Sequence, residues 1–366
     1  MTTDLNFIAS RFALSAPVKG IETLGDGFIN DTFIVRTEGG APDYILQRKN
    51  KRIFPDVPAM MENIRKVTDH IRRGVEAAGG DTLREVMTVV PTLDGELCFM
   101  DAEGEYWAVT IFISDTVAYN RADTEKLARM GGVGIGKFQA QLADFDEPLS
   151  ETIKGFHNMR HRFEQWDASV SRDAAGRVGS LTAEIAWIES RREEMMSFWS
   201  KVEDGTIPTR VTHNDTKINN ILFDRQERVL CVIDLDTVMP ATALNDFGDA
   251  IRTYANTGDE DDRDLARVGL SLGMFAAYAD GYLSQRAATL SPSELEWLAF
   301  SARYITFEQV LRFLMDYIDG DTYYKIKSPD HNLVRTHAQY RLLCSMEEQY
   351  EDMCRIVSET AAKYLG

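Results

Sequence analysis

Three side chains near the middle of the chain have the types and order that one base and one cation site require. Asp215 follows His213-Asn214, Asn220 comes five residues later, and Asp234 stands nineteen residues beyond Asp215. A carboxylate can take a proton from an alcohol. An amide oxygen and a second carboxylate suit a hard divalent cation such as Mg²⁺, which prefers oxygen ligands, keeps several waters and takes the rest from phosphates. The competing reading is a plain hairpin with solvated Asp and Asn in its turns.

The surrounding pattern can deliver these groups to one place. Arg210-Val211-Thr212 is β-rich, and Ile221-Leu222-Phe223 and Val229-Leu230-Cys231-Val232-Ile233 are apolar runs of strand length. The polar turn Asp224-Arg225-Gln226-Glu227 separates the last two, so the order is strand, loop, short strand, turn, strand.

His-x-Asp-x-x-x-x-Asn at 213–220, followed by a strand ending in Ile233-Asp234, resembles the catalytic and metal-binding segments of the aminoglycoside phosphotransferase and choline kinase superfamily. The resemblance implies an α+β, protein-kinase-like two-lobed fold, with a small antiparallel-sheet N-lobe and a larger, mostly helical C-lobe. It implies ATP as phosphoryl donor, Mg²⁺ as metal, Asp215 as the base, and Asn220 and Asp234 as metal ligands. Asp236 either joins the metal or orients the groups that do. The wording of 213–220, with Asp234-Leu235-Asp236-Thr237-Val238, resembles the N-acetylhexosamine 1-kinase branch more narrowly. That implies the anomeric hydroxyl of N-acetylglucosamine or N-acetylgalactosamine as acceptor. Two other readings stand beside it: a kinase of another small alcohol such as choline or an aminoglycoside, and a non-catalytic nucleotide-binding regulator. The presence of all three polar groups speaks against the regulator.

Composition narrows the partners. The 366 residues are 44% hydrophobic and 27% charged, with a net charge of −18, ordinary for a soluble globular chain of two or three units. An acidic surface argues against nucleic acid and anionic membranes. It leaves room for ATP, which a few local cations can hold, and would suit a cationic acceptor. Cys98, Cys231, Cys344 and Cys354 have neither metal spacing nor the density of a disulfide framework. The first residues lack the pattern of a signal peptide, and no apolar run approaches the ~20 residues of a membrane span. A cytoplasmic enzyme is expected.

Along the chain, residues 5–15 have helical spacing. Residues 21–35 read as a strand, a glycine-containing turn and a second strand. The resemblance places this hairpin over the nucleotide phosphates and assigns Gly25, Gly27 and Asn30 to nucleotide contact. Some relatives of the sugar kinase branch carry His where Phe28 stands. Tyr44-Ile45-Leu46-Gln47-Arg48 is a strand whose alternation puts Tyr44, Leu46 and Arg48 on one face. The resemblance calls for a phosphate-binding cation here; Arg48 is chosen over its neighbour Lys49. A helix over 58–78 follows, and the resemblance pairs its Glu62 with the strand cation. A favourable acid in a first helical turn is the other reading. Strands at 86–90, 97–100 and 106–113 complete the sheet, and the backbone of Phe112 and Ile113 would meet adenine. The boundary then divides a nucleotide-binding lobe, 1–113, from a catalytic and acceptor-binding lobe, 114–366.

The second part contains two decoys. Gly131-Gly132-Val133-Gly134-Ile135-Gly136-Lys137 nearly spells a phosphate loop, but it lies in the helical stripe Leu127 to Phe145 of a helix that Asp123 can cap, with Phe138 where Ser or Thr belongs. Its glycines are expected to serve close helix packing. Asp246-Phe247-Gly248 spells a kinase metal motif with no strand before it. Asp246 and Asp249 are expected to start a helix and brace the 213–216 loop. Phe156-His157 resembles the sugar kinase branch, without an assigned role. Helices are expected over 181–201, from the Ser291-Pro292-Ser293-Glu294 capping box towards Gly320, and from about His331 to Tyr364. The acidic run 259–262 reads as a solvated loop. Arg312 and Tyr323, in segments that resemble the sugar branch's acceptor wall, are expected to touch the sugar; a surface Arg and a core Tyr is the competing reading.

Overall fold

The computed structural model describes residues 4–25 and 29–366. Two compact units emerge: Met1–Ala118 with Asp144–Lys154 and Asn220–Pro240, and Tyr119–Ala143 with Gly155–Asn219 and Ala241–Gly366. Beside the sequence boundary at 113/114, these units are discontinuous, because the chain passes between them several times. No helix among the described residues is long and apolar enough to cross a membrane.

The first unit starts with a short helix, α1 (Leu5–Ala9), capped by Asp4. Its sheet contains β1 (Val18–Thr23), β2 (Asp31–Thr37), β3 (Tyr44–Lys49), β4 (Val89–Val90), β5 (Phe99–Met100) and β6 (Tyr106–Ile111). The path runs β1-β2-β3-β6-β4, with β5 also on β6; these pairings are antiparallel. One face is apolar: Val35, Tyr44, Leu46, Val90, Trp107 and Val109 pack with Ile8 and Phe12. Helix α2 (Val57–Ala77), capped by Asp56, buries Met60, Met61, Ile64, Val67 and Ile71 at helical spacing. Later in the chain, β8 (Ile221–Phe223) and β9 (Val229–Val232) form the expected hairpin.

The second unit is mostly helical. Thr124, not Asp123, caps α3 (Glu125–Gln141). The helix expected over 181–201 is two, α5 (Thr182–Glu189) and α6 (Arg192–Glu203), broken at Ser190-Arg191. α4 (Met159–Arg172) precedes them, β7 (Arg210–Thr212) follows them, and α7 (Ala243–Tyr254) and α8 (Leu272–Arg286) come after the central hairpin. The capping box at Ser291 opens α9 (Pro292–Ile318), with both reciprocal bonds made. α9 is the axis of this unit; eighteen of its side chains are buried, which no amphipathic surface helix would allow. The single last helix expected from His331 is also two, α10 (His331–Glu348) and α11 (Tyr350–Leu365), with Gln349 between them.

The glycine decoy in α3 has the packing role expected of it. A Cβ on Gly132 would lie 2.7 Å from the Tyr282 nitrogen and still nearer the Tyr278 carbonyl, and one on Gly136 would lie 2.9 Å from the Tyr282 carbonyl. In return, Gly281 of α8 sits against the Arg129 backbone. α3 and α8 therefore meet backbone to backbone, an approach only glycine permits. Gly132→Ala is expected to destabilise the protein by about 1–3 kcal/mol through overpacking, seen as a lower urea midpoint. An unchanged midpoint would mean that the helices tolerate separation.

Candidate active site

The base candidate lies on a loop whose backbone is gripped by buried acids. β7 leads into His213, Asn214 and Thr216, all nearly inaccessible to solvent. Asn214 has left-handed backbone, φ 63°, which Asn adopts more readily than most residues. The amides of His213 and Asn214 donate to Asp246 at 3.0 and 2.7 Å. The Thr216 amide donates to Asp249 at 2.8 Å, and its hydroxyl to the Asp246 carbonyl at 2.9 Å. Both acids belong to the first turns of α7, behind the Thr242 cap. The kinase-motif letters at 246–248 are thus a helix start, and these acids brace the loop as expected. Gln139 of α3 adds a 2.7 Å bond to Asp246 and is itself held by the Tyr282 hydroxyl at 2.6 Å. The Phe138 ring meets the His213 ring edge-on at 5.7 Å.

Burial pushes the Asp246 carboxyl above its usual range, against the pull of His213 and the two amides. Asp249 is held below its usual range: burial opposes its charge, but Arg252 and Lys217 outweigh burial. Asp215 itself is paired, with Lys217 Nζ at 2.9 Å from its Oδ1. Asp215 raises the Lys217 amine above its usual value, against burial. Lys217 is not among the sequence candidates, although a cation two residues after the base is visible there.

Within the first unit, β8 and β9 carry Asn220 and Asp234 to one end of their hairpin. The Ile233 amide donates to the Asn220 carbonyl at 2.9 Å, directly before Asp234. Asp234 has left-handed backbone, φ 60° and ψ 56°, ahead of a single 3₁₀ turn, Leu235–Thr237. Asp236, within that turn, is paired. Lys49 Nζ lies 2.7 and 3.0 Å from its two oxygens, and Asn30 Nδ2 donates to it at 2.7 Å. Lys49 is 3% exposed, and Gln47 accepts a further bond from it at 2.6 Å. Asn30 also accepts from the Asn50 amide at 3.1 Å, which ties the β1–β2 tip to the end of β3. Gly25 at that tip has φ 67°; Gly27 lies outside the described residues.

Arg48 and Glu62, two further candidates of this unit, have partners of their own. Arg48 pairs with Asp31, its cross-strand neighbour on β2, and both side chains are well exposed. Alternation does put Arg48 on the face of Tyr44 and Leu46, which packs with Ile8 and Phe12; Lys49 and Gln47 point to the opposite one, where Lys49 meets Asp236. Glu62 does not meet a strand cation: Arg65, one turn on, holds it at 2.6 and 2.8 Å. α2 does turn the next residue inward, the polar Asn63, 1% exposed. It donates to the carbonyls of Ser150 and Val238 at 2.8 and 3.0 Å and accepts from the Ser150 amide at 2.9 Å. An Asn inside the stripe 60-64-67 is the available signal. The Phe112 amide is bonded to the Asp43 carbonyl at 2.9 Å, and the Ile113 carbonyl accepts from Thr116 at 3.2 Å.

The second unit brings Arg312 and Tyr323 together. The guanidinium lies 5.9 Å from the Tyr323 ring, 5.6 Å from Tyr324 and 5.8 Å from Phe156. Tyr323 is 59% exposed, so it is no core tyrosine. Asp316 holds its loop by accepting the amides of Thr322, Tyr323 and Tyr324 at 2.8–3.0 Å. The acidic run 259–262 is not merely solvated: Asp261 bonds Lys327 at 2.9 Å and His331 at 2.8 Å, and Glu260 bonds Arg252 at 2.8 Å.

A model of the phosphotransferase enzyme family matches residues 20–284, well over half of the chain. Among solved structures, a microcompartment-associated aminopropanol kinase is 17% identical with a TM-score of 0.64, over 95% of this chain and 97% of that one. A Plasmodium vivax ethanolamine kinase is 13% identical with a TM-score of 0.58, over 90% and 84%. A spectinomycin phosphotransferase in complex with ADP and spectinomycin is 14% identical with a TM-score of 0.54, over 95% and 94%. At these identities the likeness is one of fold, the kinase-like α+β fold.

The acid clamp on the Tyr323 loop has a pH signature. Lys327 and His331 lower the Asp261 carboxyl to about 2 from its usual 3.8. Its contribution to stability is fully present above the unfolded value and is lost as pH falls towards the folded one. The stability gap between wild type and Asp261→Asn should be constant above about pH 5 and shrink by roughly half by pH 3. A gap that does not narrow in urea titrations over that range would refute the assignment.

Proposed function

The chain belongs to the phosphotransferase enzyme family, and from that premise we propose that it transfers the terminal phosphoryl of ATP to the anomeric hydroxyl of an N-acetylhexosamine. The observation that carries the acceptor reading is the exposed Tyr323 beside Arg312. A guanidinium can donate to ring hydroxyls or an acetamido carbonyl, and an aromatic ring can cover a sugar face. The same guanidinium repels a cationic amino alcohol, which weighs against the choline-like alternative despite the acidic net charge.

Phosphoryl transfer asks mainly for positioning and charge neutralisation. Asp215 aligns the acceptor hydroxyl and takes its proton; the grip of Asp246 and Asp249 on the adjoining amides keeps that carboxylate in place. Lys49 is the phosphate cation, not Arg48, because its ammonium is held by Asp236 together with Asn30 of the β1–β2 tip, whereas Arg48 pairs with Asp31 at the surface. Asp236 and Asn30 orient Lys49. Gly25, in the connection after β1, lies along the phosphates. Adenine meets the Phe112 carbonyl and the Ile113 amide, since the Phe112 amide and the Ile113 carbonyl are engaged by Asp43 and Thr116. Asn220 and Asp234 offer oxygen donors, which suits Mg²⁺. Mg²⁺ keeps several waters and takes further oxygens from phosphates, so two protein donors suffice to begin its shell. When bound, the cation would neutralise phosphate oxygens.

The acceptor is tested by ADP release over a panel of sugars and amino alcohols, with phosphorus NMR to identify the phosphorylated oxygen. Turnover of an amino alcohol and of no N-acetylhexosamine would reject the sugar assignment. Asp215→Asn should lower kcat by at least about 100-fold while nucleotide binding persists; full activity would remove Asp215 from the chemistry. Lys49→Met should lower kcat/KM for ATP by about 100-fold, and Arg48→Met should change it by less than about threefold. The reverse order would restore Arg48 as the phosphate cation.

A further inference from the structure

Gly155-Phe156-His157-Asn158 is a tight turn that ends in the Asn158 cap of α4. His157 has left-handed backbone, φ 57°, and is 4% exposed. Its carbonyl accepts the Tyr304 hydroxyl at 2.8 Å, so both ends of the residue are anchored on α9. Its Nδ1 lies 2.6 Å from Glu308 Oε2. Arg162 of α4 donates from Nε to the other oxygen, Oε1, at 2.7 Å. Glu308 is 1% exposed. Burial works against its charge, but His157 and Arg162 outweigh burial and keep the carboxyl well below its usual range. An ionised carboxylate only accepts, so the His157 proton on this side is on Nδ1. Nε2 has no protein partner among the described residues, and the bond to Glu308 is the one that holds the ring.

The next turn of α9 carries Arg312, four residues on, where helical side chains are neighbours. Its guanidinium lies over Phe156, which packs on His157 with ring centroids 4.1 Å apart. Arg312 thus meets the 155–158 turn through Phe156 on one side and the Glu308 charge below it. The charged and titratable groups around His157 are Glu308, Arg162 and Arg312 from α4 and α9, the Tyr304 hydroxyl from α9, and Asp249 from α7, whose charge it also stabilises.

We propose that His157 and Glu308 are positioning residues that hold Arg312 and Phe156 in the arrangement that recognises the acceptor. The proposal rests on the reading of Arg312 as an acceptor contact. Loss of the imidazole would release Glu308 on one side and let Arg312 collapse towards it, away from the acceptor, without disturbing nucleotide binding.

The test compares wild type, His157→Leu, His157→Asn and Glu308→Gln in steady-state assays, using whichever acceptor the wild type phosphorylates. A different acceptor from the one proposed would then refute the sugar reading and still leave this split measurable. His157→Leu and Glu308→Gln should raise the acceptor KM by about tenfold or more, with the ATP KM within about twofold. His157→Asn should keep the acceptor KM within about threefold of wild type, because its amide can donate from near the Nδ1 position and Asn accepts left-handed backbone. Equal defects in the Asn and Leu variants, or parallel rises in both KM values, would overturn the proposal. If His157→Leu does not fold, Glu308→Gln, equal in size, carries the comparison. If no acceptor in the panel is phosphorylated, long-range proton–nitrogen NMR of His157 decides: a proton on Nδ1 that is lost in Glu308→Gln supports the pair, and a bare Nδ1 in the wild type overturns it.

Discussion

The grip of two buried carboxylates on one stretch of backbone is the constraint from which the second unit's chemistry follows. Asp246 and Asp249 take the amides of His213, Asn214 and Thr216. Those amides are buried, and leaving one unmet would cost about 1–3 kcal/mol. The acids in turn need the helix start of α7, Gln139 and Arg252 to tolerate burial. A carboxylate placed between two such anchor points has little freedom. Asp215 is therefore positioned by residues remote from it in sequence, and the close packing of α3 on α8 sits behind Gln139 as its support.

The first unit solves a related problem with one ion pair. Lys49 and Asp236 are both almost inaccessible, and removing either partner of such a pair leaves an uncompensated charge, at about 3–5 kcal/mol. Asn30 and Gln47 satisfy further hydrogen-bonding capacity of the pair. The pair links the β1–β2 tip, the end of β3 and the turn after Asp234. This explains why α2 contributes an amide, Asn63, instead of a carboxylate: the strand cation already has its acid, and what remains to be met is backbone, at Ser150 and Val238.

Much of the candidate site was legible in the chain because its signals are local. The Ser291 capping box, the hairpin at 221–232 and the helical setting of both decoys depend on neighbours within a few residues, and the structure has them as read. Arg48 and Lys49 could not be separated in the same way. Alternation puts them on opposite faces, but which face is apolar depends on α1, β4 and β6, far away in sequence. Glu62 falls to the same limit: Arg65, three residues on, competes for it, and local pattern does not rank the two partners. The breaks at Ser190-Arg191 and Gln349 interrupt helical periodicities that continue across them; across the first, Trp187 of α5 stacks on Tyr340 of α10 whereas Phe198 of α6 packs on Phe300 and Tyr304 of α9.

By itself the sequence determined the kinase-like fold class and the family, and it singled out the candidates for base and oxygen donors, because these depend on residue types at short, fixed spacings. Only the tertiary structure decided that Lys49 meets Asp236, that Asp261 clamps the Tyr323 loop, and that His157 meets Glu308 from 151 residues away. Each of those partnerships joins segments remote in the chain. Their energy comes from charges removed from water and paired, and a linear pattern of residues does not record which charges are buried together.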